Sequence, residues 1–287
     1  MKEPKVCVIM PVYNGEKTIK FALASLLNQS YTNWECVIVN DGSTDGTRSI
    51  LDSLKDPRFK VIHLQKNVGR GAARQVCLDH VEGDYLCYLD ADDFYHKDKL
   101  KKQVMTFEND NTVDLVSGAM LVFDSKYEPI NIRGGKYRKV ANFCDGDKLL
   151  MVPVCTMIKL PKALRIKYNP KLNAGEDVDY FSRYLDGGTY VSLEDVLQYY
   201  YVGTTTYKKV LSYTYNDLER GLYLAKRRFS SGINLTLSAF AKLIVYAVAI
   251  PVLGVDYFMK RRGHKCSDEE LQQYILTFKQ INNETTD

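Results

Sequence analysis

The sequence predicts an α/β protein with a mostly parallel sheet flanked by helices and with a helical C-terminal extension. Short apolar runs typical of buried strands alternate with helical patterns, in the order βαβαβαβ. Such alternation indicates a parallel sheet with helices on its faces, and ligands bind such sheets beyond the carboxyl ends of the strands. The predicted strands cover residues 5–10, 35–39, 60–64 and 84–89.

The segments between these strands have the periodicity of helices. Ile19, Leu23 and Leu26 fall on one helical face, and Ile50 and Leu51 do the same in the next connection. With 287 residues, of which 45% are hydrophobic, the chain can bury a full globular core. Its formal net charge of +4 does not indicate a general basic surface, so we expect no nucleic-acid partner.

The cysteines and the first residues bear on the cellular compartment. Seven cysteines are scattered without C-x-x-C spacing, and several fall in apolar runs where a thiol behaves as a small hydrophobe. The chain begins Met-Lys-Glu-Pro-Lys and enters a strand at once, without the apolar stretch of a secretory signal. We therefore expect a reducing, cytoplasmic compartment.

The C-terminal part differs in composition from the rest. Residues 229–259 contain two charged residues, Lys242 and Asp256, and basic triplets flank this stretch. A transmembrane helix needs about 20 apolar residues in succession, and Lys242 and Pro251 interrupt the run. We expect helices within residues 226–262 that lie on or dip into the membrane surface, with basic residues near anionic lipid heads. The alternative is a helix pair packed on the protein's own core.

An acidic group after the fourth predicted strand is the sharpest candidate for chemistry. Asp90, Asp92 and Asp93 follow this strand directly and should lie over the ligand crevice. Carboxylates this close raise one another's pKa unless a cation is present, and hard oxygen ligands suit Mg²⁺ or Mn²⁺, which would clamp a diphosphate. The alternative is a solvated acidic turn that caps a helix starting near Phe94.

Three other predicted strand ends carry polar or glycine-containing turns at the same edge of the sheet, so we expect them to converge on one crevice. Tyr13 could stack on a base, and Asp41 could accept a hydrogen bond from a base N–H. Arg74 or Arg70 could bind phosphate or orient Asp90. In each turn taken alone, turn or helix capping explains the polar residues equally well. The three turns span residues 11–15, 40–46 and 67–74.

Two nucleotide-binding motifs are absent from the sequence. The turn at 67–74 nearly spells a dinucleotide-binding fingerprint, but Arg74 occupies the position of the third glycine. The chain also lacks the G-x-x-x-x-G-K-[ST] pattern of a P-loop. We therefore expect metal and arginine to hold the phosphates.

A second carboxylate group precedes a helical pattern in which Val178 and Phe181 share one face. Asp177 should lie in the first turn of this helix, where the helix dipole favours an acid. One interpretation is a general base that takes a proton from an attacking hydroxyl. The other is a plain N-terminal cap.

Together these segments resemble the family-2 glycosyltransferases, which are inverting enzymes with the GT-A fold, a Rossmann-like α/β architecture. The likeness covers about the first 185 residues. With the sequence pattern, we expect a nucleotide-sugar-binding half in residues 1–110, an acceptor-binding half in residues 111–205 and a helical region in residues 206–287 that either associates with the membrane or packs on the domain. The matching motifs lie at residues 11–14, 40–47, 67–74, 90–93 and 176–177.

The resemblance also implies roles for single residues. Asp41 would contact the uracil or other base, Asp90 the ribose side, and Asp92 a divalent metal, Mg²⁺ or Mn²⁺. Asp177 would be the catalytic base of a single inverting displacement. The implied substrate-binding residues are Pro11, Tyr13, Asp41, Arg74, Asp90 and Glu176.

Processive members of the family carry Gln-x-x-Arg-Trp after the base. The nearest counterpart here, residues 198–202, lacks both the arginine and the tryptophan. We therefore expect a non-processive enzyme that uses a nucleotide diphosphate sugar, with a UDP-sugar favoured. Its acceptor would be a glycan or a lipid-linked glycan in polysaccharide or glycolipid assembly, at the inner face of the plasma membrane.

Two other functions stay open at this point. A metal-dependent nucleotidyltransferase would also use a nucleotide fold and acidic metal ligands, although the second carboxylate at Asp177 disfavours it. A non-catalytic protein could keep the nucleotide-sugar pocket without turnover. The acidic residues at both sites argue against such a loss of catalytic activity.

Overall fold

The structure, a computed structural model, describes residues 3–145, 147–170, 172, 175–203, 206–226 and 228–286. Within these residues, ten strands form one sheet that is flanked by helices. The strands are β1 (Val6–Val12), β2 (Trp34–Asn40), β3 (Phe59–His63), β4 (Tyr85–Tyr88), β5 (Phe94–Tyr95), β6 (Leu115–Phe123), β7 (Pro129–Arg133), β8 (Arg138–Val140), β9 (Met157–Lys159) and β10 (Tyr190–Tyr201). The helices are α1 (Ile19–Leu27), α2 (Thr47–Asp52), α3 (Arg70–Leu78), α4 (Lys99–Asn109), α5 (Leu160–Ala163), α6 (Glu176–Leu185), α7 (Tyr207–Ala225), α8 (Phe229–Leu253), α9 (Val255–Lys260) and α10 (Asp268–Thr286).

The first half of the sheet is parallel, in the order β3-β2-β1-β4. Successive side chains of a strand point to opposite faces, so β1 contributes to two cores. Val8 and Met10 pack on the α1 side, whereas Cys7 and Ile9 pack on the side of α3 and α6. Burial on both faces explains why these strands are continuous apolar runs, and the predicted α/β fold class is confirmed.

The second half of the sheet combines both strand directions. β9 lies antiparallel between β4 and β6 and joins the two halves. β6 and β10 run parallel to each other, and β7, β8 and β5 add antiparallel pairs at their sides. The residues from β6 onward thus extend the same sheet and continue its crevice.

The segment after the acidic group is a strand, so the alternative of a helix starting near Phe94 is wrong. Phe94 and Tyr95 form β5 and pair with Tyr199 and Gln198 of β10, and α4 begins later, at Lys99. Both β5 side chains are buried. Two successive large apolar side chains that are both buried suit a strand covered on each face, whereas only one would face inward on a surface helix.

The helices α7 and α8 pack as an antiparallel hairpin. Two glycines permit the close approach of the two backbones: a Cβ on Gly221 would lie 2.5 Å from Thr236 Oγ1, and one on Gly232 would lie 2.1 Å from the Ala225 nitrogen. The last helix, α10, packs instead on the domain, with its Tyr274 among the buried aromatic side chains around Phe94.

The helix α8 runs without a break through Lys242 and Pro251, the two residues that interrupt the apolar run. Pro251 lacks the N–H that would bond to the Ala247 carbonyl, and the Tyr207 hydroxyl donates to that oxygen at 3.4 Å. The helix is long and apolar enough to cross a membrane, and its most apolar part has a mean hydropathy of 1.9 with 11% of its residues buried. Of the flanking charges, Arg227 and the side chains of Asp256 and Lys260 lie outside the described residues.

Candidate functional site

A cleft of about 1180 Å³ opens where β1, β2, β3 and β4 end. All four predicted turns contribute to its wall, together with the start of α6 and residues of α7 and α8. Arg74 and Glu176 are buried behind this wall. The predicted site residues that line the cleft are Pro11, Tyr13, Asp41, Asp90, Asp92 and Asp177.

The turns after β1 and β2 are held together by side-chain hydrogen bonds to backbone. Asn14, with a positive φ of 53°, accepts from the Thr44 backbone N–H at 2.8 Å, and its own N–H donates to Ser43 Oγ at 2.9 Å. The Gly15 N–H donates to Thr47 Oγ1 at 2.9 Å. These motif residues therefore fix the shape of the wall and leave Tyr13, which is 50% exposed, at the mouth of the cleft.

Asp41 fixes the turn that follows β3. Its two carboxylate oxygens accept hydrogen bonds from the backbone N–H groups of Val68, at 2.8 Å, and Gly69, at 3.1 Å. The neighbouring Gly42 has a φ of 68°, and a Cβ there would lie 2.5 Å from the Lys66 carbonyl carbon, so the approach of the two turns requires glycine. Asp41 thus lines the cleft in one fixed orientation.

Arg74 bridges the two carboxylate groups that the sequence singles out. Its Nη2 donates to Asp90 Oδ1 and its Nη1 to Glu176 Oε1, both at 2.8 Å. The Arg74 and Glu176 side chains are 4% and 3% exposed. Burial alone would lower the pKa of Arg74, but the facing carboxylates raise it well above its usual value. The guanidinium therefore stays charged and orients Asp90, and it is too deeply buried to bind phosphate directly.

Glu176 is anchored by two arginines. It accepts from Arg74 and also pairs with Arg70 Nε at 3.2 Å. Burial, and secondarily the neighbouring Asp177, raises the pKa of the Glu176 carboxyl, and the two arginines oppose this shift. Because Glu176 is the first residue of α6, this anchor fixes the start of that helix against α3.

Asp177 lies in the first turn of α6, half-buried and facing the cleft. Gly175 precedes the helix with a φ of 72°, a left-handed conformation that suits glycine. The Asp177 Oδ1 accepts the Val178 backbone N–H at 2.7 Å, one of the donors that a helix leaves unpaired at its start. A carboxylate is thus held across the cleft from the acidic turn after β4.

Asp93 corrects the expectation that all three acids of this turn face the crevice. It is fully buried and does not line the cleft. It accepts from Gln198 Nε2 and from the Tyr201 backbone N–H, both at 2.8 Å. Burial, and then the charges of Asp92 and Asp90, raises the pKa of Asp93 well above its usual value. Its function is to hold β10 against the acidic turn.

This arrangement predicts a pH-dependent difference between wild type and Asp93→Asn. Because the pKa of Asp93 is raised in the folded state, ionisation destabilises the fold as the pH rises from the usual carboxyl range toward the folded pKa. Asparagine cannot ionise, so the unfolding free energy of Asp93→Asn minus that of wild type should increase with pH. Urea denaturation of both proteins from about pH 4 to about pH 9 measures this difference.

Asp93→Ala is the control, because it leaves the Tyr201 N–H without its partner. We expect it to lower the unfolding free energy by about 1–3 kcal/mol. A difference between the asparagine variant and wild type that stays constant with pH would contradict this account of Asp93.

The cleft wall also carries basic residues that were not predicted as site residues. Arg133 is the last residue of β7, Lys242 lies on α8, Arg220 lies on α7, and Arg262 follows α9. In the sequence, Arg133 begins a basic stretch and Arg262 belongs to a triplet that we expected near lipid heads. The tertiary fold brings all four to the cleft.

No described group of three or more His, Cys, Asp or Glu side chains is close enough to hold a metal ion by itself. Asp92 is exposed and faces the cleft. Among the described residues, the cleft wall offers carboxylate oxygens and neither histidine nor cysteine. This donor chemistry suits a hard cation that takes its remaining ligands from a bound diphosphate and water.

Comparison with known proteins identifies relatives of this chain. The chain is 32% identical over 194 residues to EpsE of Bacillus subtilis (strain 168), a glycosyltransferase by name, and the match covers 64% of this chain and 68% of EpsE. It is 34% identical over 111 residues to Escherichia coli WfgD, a match that covers 39% of this chain and 44% of WfgD. WfgD is named UDP-Glc:alpha-D-GlcNAc-diphosphoundecaprenol beta-1,3-glucosyltransferase. The chain therefore spans about two thirds of the first relative and less than half of the second.

Two solved structures share the fold. A crystal structure of Staphylococcus aureus TarS has a TM-score of 0.60 and 20% identity, and covers 96% of this chain and 80% of that one. A complex of the same protein with UDP has a TM-score of 0.59 and 20% identity, with the same shares covered. These neighbours support the GT-A fold. The sequence model of Glycosyl transferase family 2 matches residues 7–163, more than half of the chain. The protein is accordingly a glycosyltransferase and belongs to glycosyl transferase family 2.

Proposed function

We propose that this glycosyltransferase is a non-processive inverting enzyme. It moves one sugar from a nucleotide diphosphate sugar, with UDP as the favoured nucleotide, to a hydroxyl of a glycan or lipid-linked acceptor. The observation that carries the proposal is that the Asp177 carboxylate and the acidic turn at Asp90 and Asp92 face one cleft, with Arg74 and Glu176 fixing their relative positions.

The donor end of the cleft suits a nucleoside diphosphate. Tyr13 presents an exposed ring on which a base can stack, next to Pro11, and Asp41 lies in the same wall. Asp90, oriented by Arg74, is the candidate acceptor for the ribose hydroxyls. TarS has been solved with UDP and with UDP-GlcNAc, which supports a uridine donor here.

The proposed reaction is a single displacement. Asp177 takes the proton of the acceptor hydroxyl while the hydroxyl oxygen bonds to the anomeric carbon and the bond from that carbon to the diphosphate breaks. The configuration at the anomeric carbon inverts because attack and departure occur on opposite faces. Arg70 lines the cleft and supplies positive charge on the donor side. The nucleoside diphosphate leaves with the electron pair.

Mg²⁺ or Mn²⁺ is the proposed cofactor, with Asp92 as its ligand from the chain. Among the described residues, the potential metal ligands of the cleft wall are carboxylates, without histidine or cysteine, and this fits such a cation. When bound, the ion neutralises charge on the diphosphate. Asp92 is exposed and lines the cleft, whereas Asp93 is buried and Asp90 is oriented by Arg74, so Asp92 is the member of the acidic turn suited to this role.

Thermal unfolding of the full chain with nucleotides tests the donor and metal assignments. UDP with Mn²⁺ should stabilise the protein by about 2.7 kcal/mol when free UDP is a hundredfold above its Kd. Asp92→Asn should remove the Mn²⁺-dependent part of this gain, because the neutral amide is a weaker cation ligand. Asp195→Asn, an exposed acid outside the cleft, is the matched control and should behave as wild type.

The same experiment separates the alternatives. Stabilisation by nucleoside triphosphates and not by diphosphates would favour the nucleotidyltransferase. Stabilisation by UDP without any sugar transfer to a panel of acceptors would favour the non-catalytic binding protein. A gain from UDP that is equal with and without Mn²⁺ would remove the metal from the proposal.

We further propose peripheral contact between residues 226–262 and the inner face of the plasma membrane. The exposed side of α8 carries apolar side chains, and Lys226, Arg228 and Arg261 flank the helix. The diphosphoundecaprenol in the name of WfgD supports a membrane-bound acceptor. Flotation with anionic vesicles measures the contact, and a chain truncated before Phe229 that still floats would contradict this assignment.

A further inference from the structure

Basic side chains that belong to none of the donor motifs also line the cleft. Arg133, Arg262, Lys242 and Arg220 form this part of the wall, here named the electropositive end. Arg220 pairs with Asp217 at 3.2 Å, so that part of its charge is compensated. For Arg133, Arg262 and Lys242 no ion pair is found among the described residues.

The fold brings Arg133 and Arg262 together from distant parts of the sequence. Ile132 and His264 form an antiparallel bridge, with N–H···O distances of 2.9 and 3.0 Å, that fixes the segment after α9 to the end of β7. Between them Gly263 passes so close that a Cβ would lie 2.2 Å from the Ile132 oxygen. The bridge and the glycine thus place the two arginines side by side on the cleft wall.

Without a bound anion, the proximity of these two arginines destabilises the fold. Nε and Nη2 of Arg133 are buried and have no hydrogen-bond partner in the described part of the chain. Burial, and then the nearby Arg262, lowers the pKa of Arg133. A buried guanidinium with unpaired N–H groups beside a like charge destabilises a fold, and an anion between the two groups would relieve both effects.

The electropositive end borders an apolar surface. Lys242 and Tyr246 of α8 face the cleft, whereas other residues of the same helix are exposed, among them Val248 at 68% and Val252 at 77%. A ligand held at the arginines therefore lies beside an unpartnered apolar helix face. Charge and apolar surface together fit an amphiphile with an anionic head and a hydrocarbon chain.

We propose that Arg133 and Arg262, assisted by Lys242, form a subsite for a phosphate group of the acceptor, whose hydrocarbon chain lies along the exposed face of α8. The inference rests on the proposed function and defines the acceptor class as a sugar phosphate or diphosphate ester of a long-chain alcohol. A guanidinium binds phosphate with two parallel hydrogen bonds, which suits the paired arginines.

The arginines belong to other parts of the chain than the donor motifs. The donor turns follow β1, β2, β3 and β4, whereas Arg133 ends β7, which pairs with β6, and Arg262 follows α9. Arg70 and Asp92 already line the cleft beside the donor turns. We therefore assign the two arginines to the acceptor phosphate and not to the leaving diphosphate, and UDP binding by the arginine variants tests this assignment.

Vesicle binding of the full chain tests the subsite. The probes are phosphatidylcholine vesicles that contain dodecyl phosphate and, for comparison, vesicles that contain dodecanol. Wild type should prefer the phosphate vesicles, and Arg133→Met and Arg262→Ala should each weaken that preference about tenfold, the loss expected for one charged hydrogen-bonded contact. Lys265→Ala removes a neighbouring exposed charge outside the cleft and should bind as wild type.

Two further measurements distinguish a loss of phosphate binding from unfolding and from a loss of donor binding. The melting temperature of Arg133→Met should equal or exceed that of wild type, since methionine removes the unpaired buried charge, so lost binding would not reflect unfolding. UDP binding should be unchanged in both arginine variants. Equal loss of UDP affinity would overturn the proposal by assigning the arginines to the donor, and so would equal binding to both vesicle types. Failure of wild type to bind UDP would instead refute the proposed function.

Discussion

Replacement of Asp177 by asparagine should lower kcat for sugar transfer by about 10²- to 10⁴-fold, the usual contribution of a positioned general base. The amide cannot take the proton of the acceptor hydroxyl at the start of α6. It can still accept the Val178 N–H through its oxygen, so the helix start should be unchanged. UDP affinity should also remain, because the donor motifs are on other turns. Transfer rates at saturating donor, with UDP titration of the same sample, measure both quantities.

Two variants of the same helix make this test specific. Asp179→Asn removes an acid two residues further on that pairs with Arg183 and does not line the cleft, so its kcat should stay near that of wild type. Glu176→Gln removes the anchor of the helix. If Asp177→Asn retained the wild-type rate, Asp177 would not be the base, and a loss of rate in Glu176→Gln alone would reflect the displaced start of α6.

Arg74→Met should lower the free energy of unfolding by about 3–5 kcal/mol, the cost of leaving buried charges uncompensated. The buried Glu176 would lose one of its two arginines, and Asp90 would lose its ion pair with Arg74. The side chain of methionine fills similar space, so the loss would report charge more than volume. Urea denaturation monitored by circular dichroism gives the free energies.

Arg70→Met is the matched control, because Arg70 pairs with the same Glu176 oxygen but is 54% exposed. An exposed pair contributes about 0–1 kcal/mol, so this variant should be only slightly destabilised. Adding Glu176→Gln to Arg74→Met should recover part of the loss, since it removes one of the stranded charges. Equal stability of the two arginine variants would contradict the bridging role of Arg74.

Local sequence patterns predicted the parallel half of the sheet because each of its strands is a continuous apolar run, which can be identified without the rest of the fold. Apolar runs predicted strand positions to within one or two residues, as at β2 and β4. The convergence of the turns on one cleft followed from the parallel arrangement, in which strand ends share an edge. The side to which each acid points did not follow. Asp93 turns inward because Gln198, 105 residues away, donates to it.

The electropositive end of the cleft was missed for the same reason. Arg133 and Arg262 meet through a two-residue bridge between segments that have no local sequence relation. The continuity of α8 was also missed. A lysine that faces the cleft and a proline near the helix end are both compatible with a single helix. Tertiary contacts, such as that of Tyr207 with Ala247, decide these cases.

The bridge from Asp90 through Arg74 to Glu176 limits how this enzyme can be recombined with its relatives. The Arg74 and Glu176 partners are 102 residues apart, so a donor-binding module cut before α6 would carry a buried arginine with half of its partners missing. A chimera that takes this bridge from a single parent should therefore place its junction after Leu185.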